Sequence, residues 1–155
     1  MRRIDGAGVD PFKEGYEMKM RLRTIALALA MSTTWSFVAY GDDYTAYSKT
    51  AESVTGDISF DDFSITFANG ESLAFSDLLG DHFIVDGKRV PASLYRVEEP
   101  GDPVLLNGNA LCGAGDVSYV ASWSAGDGLS AVAVFTGSQP PRSSDEMCAS
   151  YIFED

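Results

Sequence analysis

One histidine, two cysteines and a surplus of carboxylates are the side chains of this 155-residue chain that suggest chemistry. His82 directly follows Asp81. A hydrolytic triad would need His82 as base, a carboxylate to orient it and a serine as nucleophile. In an extended strand, adjacent side chains point to opposite faces, which makes Asp81 a poor orienting group for His82. Ser130 lies in Gly128-Leu129-Ser130-Ala131-Val132. That run lacks the second glycine of a nucleophile elbow, and it reads as mid-strand rather than as a strand-to-helix turn. His82 therefore reads as a surface loop residue. No H-E-x-x-H, Walker loop or helix-opening G-x-G-x-x-G occurs. The residues assign no catalytic group, metal site or cofactor, so a non-enzymatic module is expected.

Cys112 and Cys148 stand 36 positions apart. Redox pairs favour the close C-x-x-C arrangement, and a zinc site would need two further ligands from a chain with one histidine. The reading that remains is a structural disulfide, which by chain entropy is worth about 3.8 kcal/mol for a loop of this length. Carboxylates fall in pairs at Asp61-Asp62, Glu98-Glu99 with Asp102, and Asp145-Glu146. These segments read as turns, where acids serve solubility. They are also the candidate contacts for a cationic partner, with Trp123 as a candidate apolar contact beside them. No D-x-D-x-D-G loop supports a calcium site.

The elements that must position these groups begin after a leader. Lys19, Arg21 and Arg23 form a positive cluster, an apolar segment runs from Leu22 to Met31, and Ala39 and Gly41 stand before Asp42-Asp43. This pattern predicts a secretory signal peptide over 18–41. The run is too short for a bilayer span, which needs about 20 residues. Residues 1–17 lack apolar periodicity. Because Lys13-Glu14-Gly15 is compatible with a ribosome-binding site in the underlying gene, an over-extended start or a disordered leader is expected there. The predicted mature domain is 42–155. The leader takes six of the 11 basic and four of the 23 acidic residues, which leaves 5 against 19 and a net charge of −14. Such a surface repels nucleic acid and anionic membrane, and it attracts cations or basic proteins. The expected location is the periplasm or the outside of the cell, with the chain soluble and monomeric and free of the membrane after cleavage.

Within 42–155, apolar runs are short and punctuated by turn residues. Phe63, Ile65 and Phe67 alternate with polar residues and predict one strand face. Asn69-Gly70 and Asp86-Gly87 predict hairpins, and Pro91 predicts a strand end or edge. A strand over 94–97 is closed by a predicted turn at 98–103. The clearest signals come last, with strands at 117–123 and 129–135 around Gly126-Asp127-Gly128, a Pro/Ser loop over 137–145, and a closing strand at 148–153. With apolar residues on both faces, 129–135 should be a central strand. Helix is expected only at 76–79 and in the lead-in 42–55. Tyr95, Tyr119, Trp123, Phe135, Tyr151 and Phe153 read as core, Trp123 being the least covered. Seven to eight short strands imply an all-β antiparallel sandwich or small barrel.

The pattern Leu111-Cys112-Gly113, Ser118-Tyr119-Val120, Ala133-Val134-Phe135-Thr136-Gly137, Pro140-Pro141 and Cys148-Ala149-Ser150-Tyr151-Ile152-Phe153 resembles the carboxy-terminal half of small exported bacterial proteins of unassigned function. The resemblance implies compartment and disulfide, not activity. The 63–75 segment is similar to strands of the periplasmic inhibitors of C-type lysozyme, small β-barrels whose disulfide ties an amino-terminal strand to the carboxy terminus. Here both cysteines fall in the last third. The expected partner is cationic: a basic hydrolase such as lysozyme, a basic peptide or a divalent ion. A hydrolase with an unrecognised carboxylate site is the competing expectation. Intact mass of the protein from a bacterial envelope fraction should begin at Asp42 and be two hydrogens lighter than the dithiol, and a retained leader would refute the signal reading.

Overall fold

A computed structural model describes residues 41–155, so the expected leader and the expected signal peptide, except its last residue Gly41, lie outside the described residues. Eight strands pair antiparallel in chain order and close into a barrel. They are β1 (Asp42–Ala46), β2 (Ile58–Phe60), β3 (Ser64–Phe67), β4 (Ser72–Val85), β5 (Lys88–Gly101), β6 (Val117–Gly126), β7 (Leu129–Phe135) and β8 (Ala149–Glu154). The all-β expectation holds, and the open choice between sandwich and barrel resolves as a barrel. Closure rests on β1, which pairs β2 along one edge and β8 along the other. The lead-in contains both β1 and the helix α1 (Lys49–Val54), whose N-cap Ser48 accepts from the Ala51 amide. Polar β1 carries only Tyr44 and Ala46 towards the core, too little alternation for the sequence to announce a strand. No described helix is long and apolar enough to cross a membrane.

All eight strands contribute to the central core, among them Phe60, Ile65, Phe75, Tyr95, Val120, Val134 and Phe153. Phe75 stacks on Tyr95 with ring centroids 4.6 Å apart, and Phe60 meets both rings at 5.6 and 5.8 Å. The barrel interior is therefore packed with side chains, as expected for eight strands. Cys112 and Cys148 form the expected disulfide with Cα atoms 5.4 Å apart, tying the approach to β6 to the start of β8.

Two expectations fail in β4 and β5. Residues 76–79 are strand rather than helix, and 98–101 extend β5 rather than turning. Each strand runs 14 residues, longer than the barrel wall, and the surplus forms a hairpin arm. β5 meets β6 only from Ser93 onward, while Pro91 pairs His82 of β4 alone. Pro91 thus sits on an edge, where its missing N–H costs no ladder bond. Asp86 and Gly87 turn the arm with φ of 48° and 75°, the left-handed pair of a tight hairpin. Register shifts between residues 75 and 82 of β4 mark bulges, which bend a strand. The bent arm packs across the outside of β6 and β7.

There Phe83, Leu94, Tyr119, Ala121, Ala133 and Phe135 form a second core. Ala121 pairs directly with Ala133, and these two small side chains leave room for Phe83, whose ring lies 5.7 Å from Phe135 and 6.2 Å from Trp123. β7 accordingly sends Val132 and Val134 inward and Ala133 and Phe135 outward, as its doubly apolar sequence predicts. Phe63 departs from its predicted face. It precedes β3 and is 69 % exposed, because the Asp61 carboxylate accepts from the amides of Phe63 and Ser64, each at 2.7 Å, and turns the chain there.

The two cores predict different responses. Phe153→Ala, at a site of 0 % exposure, should cost about 3–5 kcal/mol in denaturant unfolding. Phe83→Ala should chiefly release the arm, read as lost amide-exchange protection near the 86–87 turn with β8 still protected.

Candidate functional site

Bulges in β4 also change the chemistry of its side chains. Asp81 and His82 do not diverge as regular strand neighbours would: the Nδ1–H of His82 donates to Asp81 Oδ1 at 2.6 Å. The expectation that Asp81 is badly placed to orient His82 is thereby overturned. The register shift between Gly80 and His82 breaks the regular alternation that had separated the two side chains. His82 also sits on the strand of the arm, not on a loop. The hydrogen bond from His82, followed by its charge, holds the Asp81 carboxyl below its ordinary range.

This pair lines a groove of about 310 Å³ between the arm and the Pro/Ser loop, together with Leu79, Ile84, Arg89, Leu94, Pro141 and Arg142. No serine, threonine or cysteine is among those lining residues. Ser130 instead donates to Asp155. The loop is fastened to the arm by a parallel bridge between Ile84 and Ser143 and by the Asp86 amide donating to Ser144 Oγ at 3.2 Å.

The carboxylates singled out in the sequence are not brought together, and most have structural duties. Asp61 caps its own turn as described, and Asp62 accepts from the Tyr95 hydroxyl at 2.7 Å. Asp102 accepts from the amides of Leu111 and Cys112 at 2.7 and 3.3 Å, which positions the disulfide loop. Glu146 accepts from the Arg142 amide at 2.8 Å, and Asp145 from Ser143 Oγ at 3.4 Å. Glu98 and Glu99 lie on a strand and are exposed, lining a groove of about 400 Å³ with Ser72, Leu73 and Ala74. Trp123 is half-buried in the second core. Among the described residues, no group of three or more His, Cys, Asp or Glu side chains gathers as a metal site.

Sequence reasoning missed the groove because Arg89 and Arg142 are 53 positions apart and neither belongs to a motif. The available signal was the scarcity of cations: residues 42–155 contain five, and two line one groove. Comparison of the chain with family models, curated proteins and solved structures finds no match. Functional reading therefore rests on the site itself.

Burial and the Asp62 carboxylate push the Tyr95 hydroxyl up to about 12. Burial, then the Asp102 charge, pushes Tyr151 to about 12. Tyr151 donates to the Leu111 carbonyl at 2.7 Å. Both pKa values lie above the unfolded value near 10, so the associated stability is complete below pH 10 and is lost as pH rises through 12. Two tyrosines should ionise only in that window in an absorbance titration, together with alkaline unfolding. Titration of Tyr95 and Tyr151 near pH 10 with the fold intact would contradict this.

Proposed function

We propose that residues 42–155 form an exported, disulfide-stapled binding module that acts through its outer surface and takes a cationic protein or peptide as partner. The observation that carries this reading is the separation of apolar from charged material. The barrel interior is filled by the Phe60, Phe75 and Tyr95 rings, so recognition falls to an exterior with 19 acidic residues against 5 basic. Of the acidic pairs, Glu98 and Glu99 are the best placed for contact. They are exposed along a groove shared with Ser72, Leu73 and Ala74, whereas Asp61, Asp62 and Asp102 are engaged within the fold.

Export is supported by the disulfide, since such bonds persist in oxidising compartments, and by the basic, apolar and small-residue pattern of 18–41. The periplasm or extracellular space is the location this implies. Physically, an acidic surface raises the local concentration of a basic partner and accelerates encounter, while contact groups set residence time.

Binding of a basic probe protein such as lysozyme should weaken by tenfold or more between low and physiological salt, because charges are screened beyond about 8–10 Å there. Glu98→Gln with Glu99→Gln should weaken it further at low salt. Salt-independent binding would transfer the contact to the apolar surface near Trp123. Absence of binding to basic proteins and peptides would leave the acidity as a solubility device.

A further inference from the structure

Cations are scarce in this domain, yet their placement is uneven. Of five in residues 42–155, Arg96 is paired with Asp77 at 3.6 Å and lies 5.5 Å from the centre of the Tyr119 ring. Arg89 and Arg142 share the arm groove, and among the described residues neither guanidinium has a carboxylate within 4.0 Å. Lys49 and Lys88 likewise have no carboxylate within 4.0 Å among the described residues, so what sets the groove apart is that it gathers two of the three arginines of residues 42–155. The fold holds them there. Arg89 pairs across the arm with Ile84, and Ile84 bridges Ser143, the neighbour of Arg142. His82 precedes Ile84 by two positions with unbroken register between them, so it shares that face. Its Nδ1 is engaged by Asp81, which leaves Nε2 as the free ring nitrogen.

We infer that this groove binds a phosphate-type dianion carried on a small apolar body. Guanidinium forks match the oxygens of phosphate and carboxylate. Two guanidiniums with an imidazole between the arm and the loop suit a doubly charged tetrahedral group better than a single carboxylate. The floor of Leu79, Ile84 and Pro141 supplies the apolar contact, and the volume of about 310 Å³ accommodates a phosphate monoester with a ring. Asp81 is the one carboxylate lining the groove, and its Oδ1 is engaged by the His82 Nδ1. The site stands apart from the Glu98–Glu99 surface and takes a ligand of opposite charge, so it does not depend on the cationic-partner reading.

Phenyl phosphate titrated into the isotope-labelled domain, followed by magnetic resonance of the Arg89 and Arg142 side chains and the His82 ring, is the direct test. Saturable shifts confined to the arm and the 137–147 loop are expected. Arg89→Ala and Arg142→Ala should each weaken binding roughly tenfold, with Arg89→Lys, which keeps the charge but loses the fork, falling between. Arg96→Ala, outside the groove, should leave binding unchanged. Unsaturable shifts, or equal weakening by Arg96→Ala, would overturn the site. Equally tight benzoate would overturn the dianion, and equally tight inorganic phosphate would overturn the apolar body. Because both arginines are exposed, their variants should retain the native spectrum. If Arg89→Ala perturbs the arm, the Arg142→Ala and Arg89→Lys results decide the matter.

Discussion

Two residue pairs between β1 and β8, Thr45 with Glu154 and Ala46 with Phe153, convert an eight-stranded sheet into a closed barrel. Ladder bonds alone make this a short seam. It is reinforced by the chain that follows β1: the amides of Tyr47 and Ser48 donate to the Ile152 carbonyl, and the Ile152 amide donates to Ser48 Oγ. Ser48 also caps α1, so one residue ends the seam and starts the helix. Closure removes the free edges that would otherwise recruit other chains, and it seals the apolar interior on which the other strands depend. The disulfide acts near the other end of β8, where it fixes the strand's entry to the loop before β6.

A closed barrel has one interior, but β6 and β7 are apolar on both faces. Their outer face must be covered, and the overlong β4–β5 hairpin covers it with Phe83 against Trp123 and Phe135. The groove beside the arm is a consequence of that packing. Bulges that bend β4 over the barrel also bring Asp81 and His82 into contact, and docking the Pro/Ser loop on the arm carries Arg142 into the groove that Arg89 lines. The most distinctive surface chemistry of the domain is thus a by-product of covering an apolar sheet face.

Charge is organised by the same folding logic. Asp62 and Asp102 satisfy a part-buried hydroxyl and a part-buried backbone amide, since a donor withdrawn from water and left without an acceptor is costly, while Asp61 holds the amides of its own turn. Carboxylates with no such duty remain on the surface. Adjacent acids in sequence, such as Asp61 and Asp62, therefore do different work.

Local pattern was enough to determine much of this protein. The alternation at 129–135, the Asn69-Gly70, Asp86-Gly87 and Asp127-Gly128 turns and the Pro91 edge all act over a few residues, through φ preferences and side-chain period, and all appear where the residues put them. The pairing of Cys112 with Cys148 follows from there being two cysteines and few other ligands. Tertiary structure decided what local pattern leaves degenerate. The polar β1 is a strand because β2 and β8 both need a partner, and 76–79 is strand because the arm continues the β4–β5 ladder past the barrel wall. Phe63 turns outward because Asp61 claims its amide. The contact of Asp81 with His82 depends on bulges, and the sharing of one groove by Arg89 and Arg142 depends on a loop docking 53 residues away. Such contacts arise from long-range packing, which no short stretch of residues encodes.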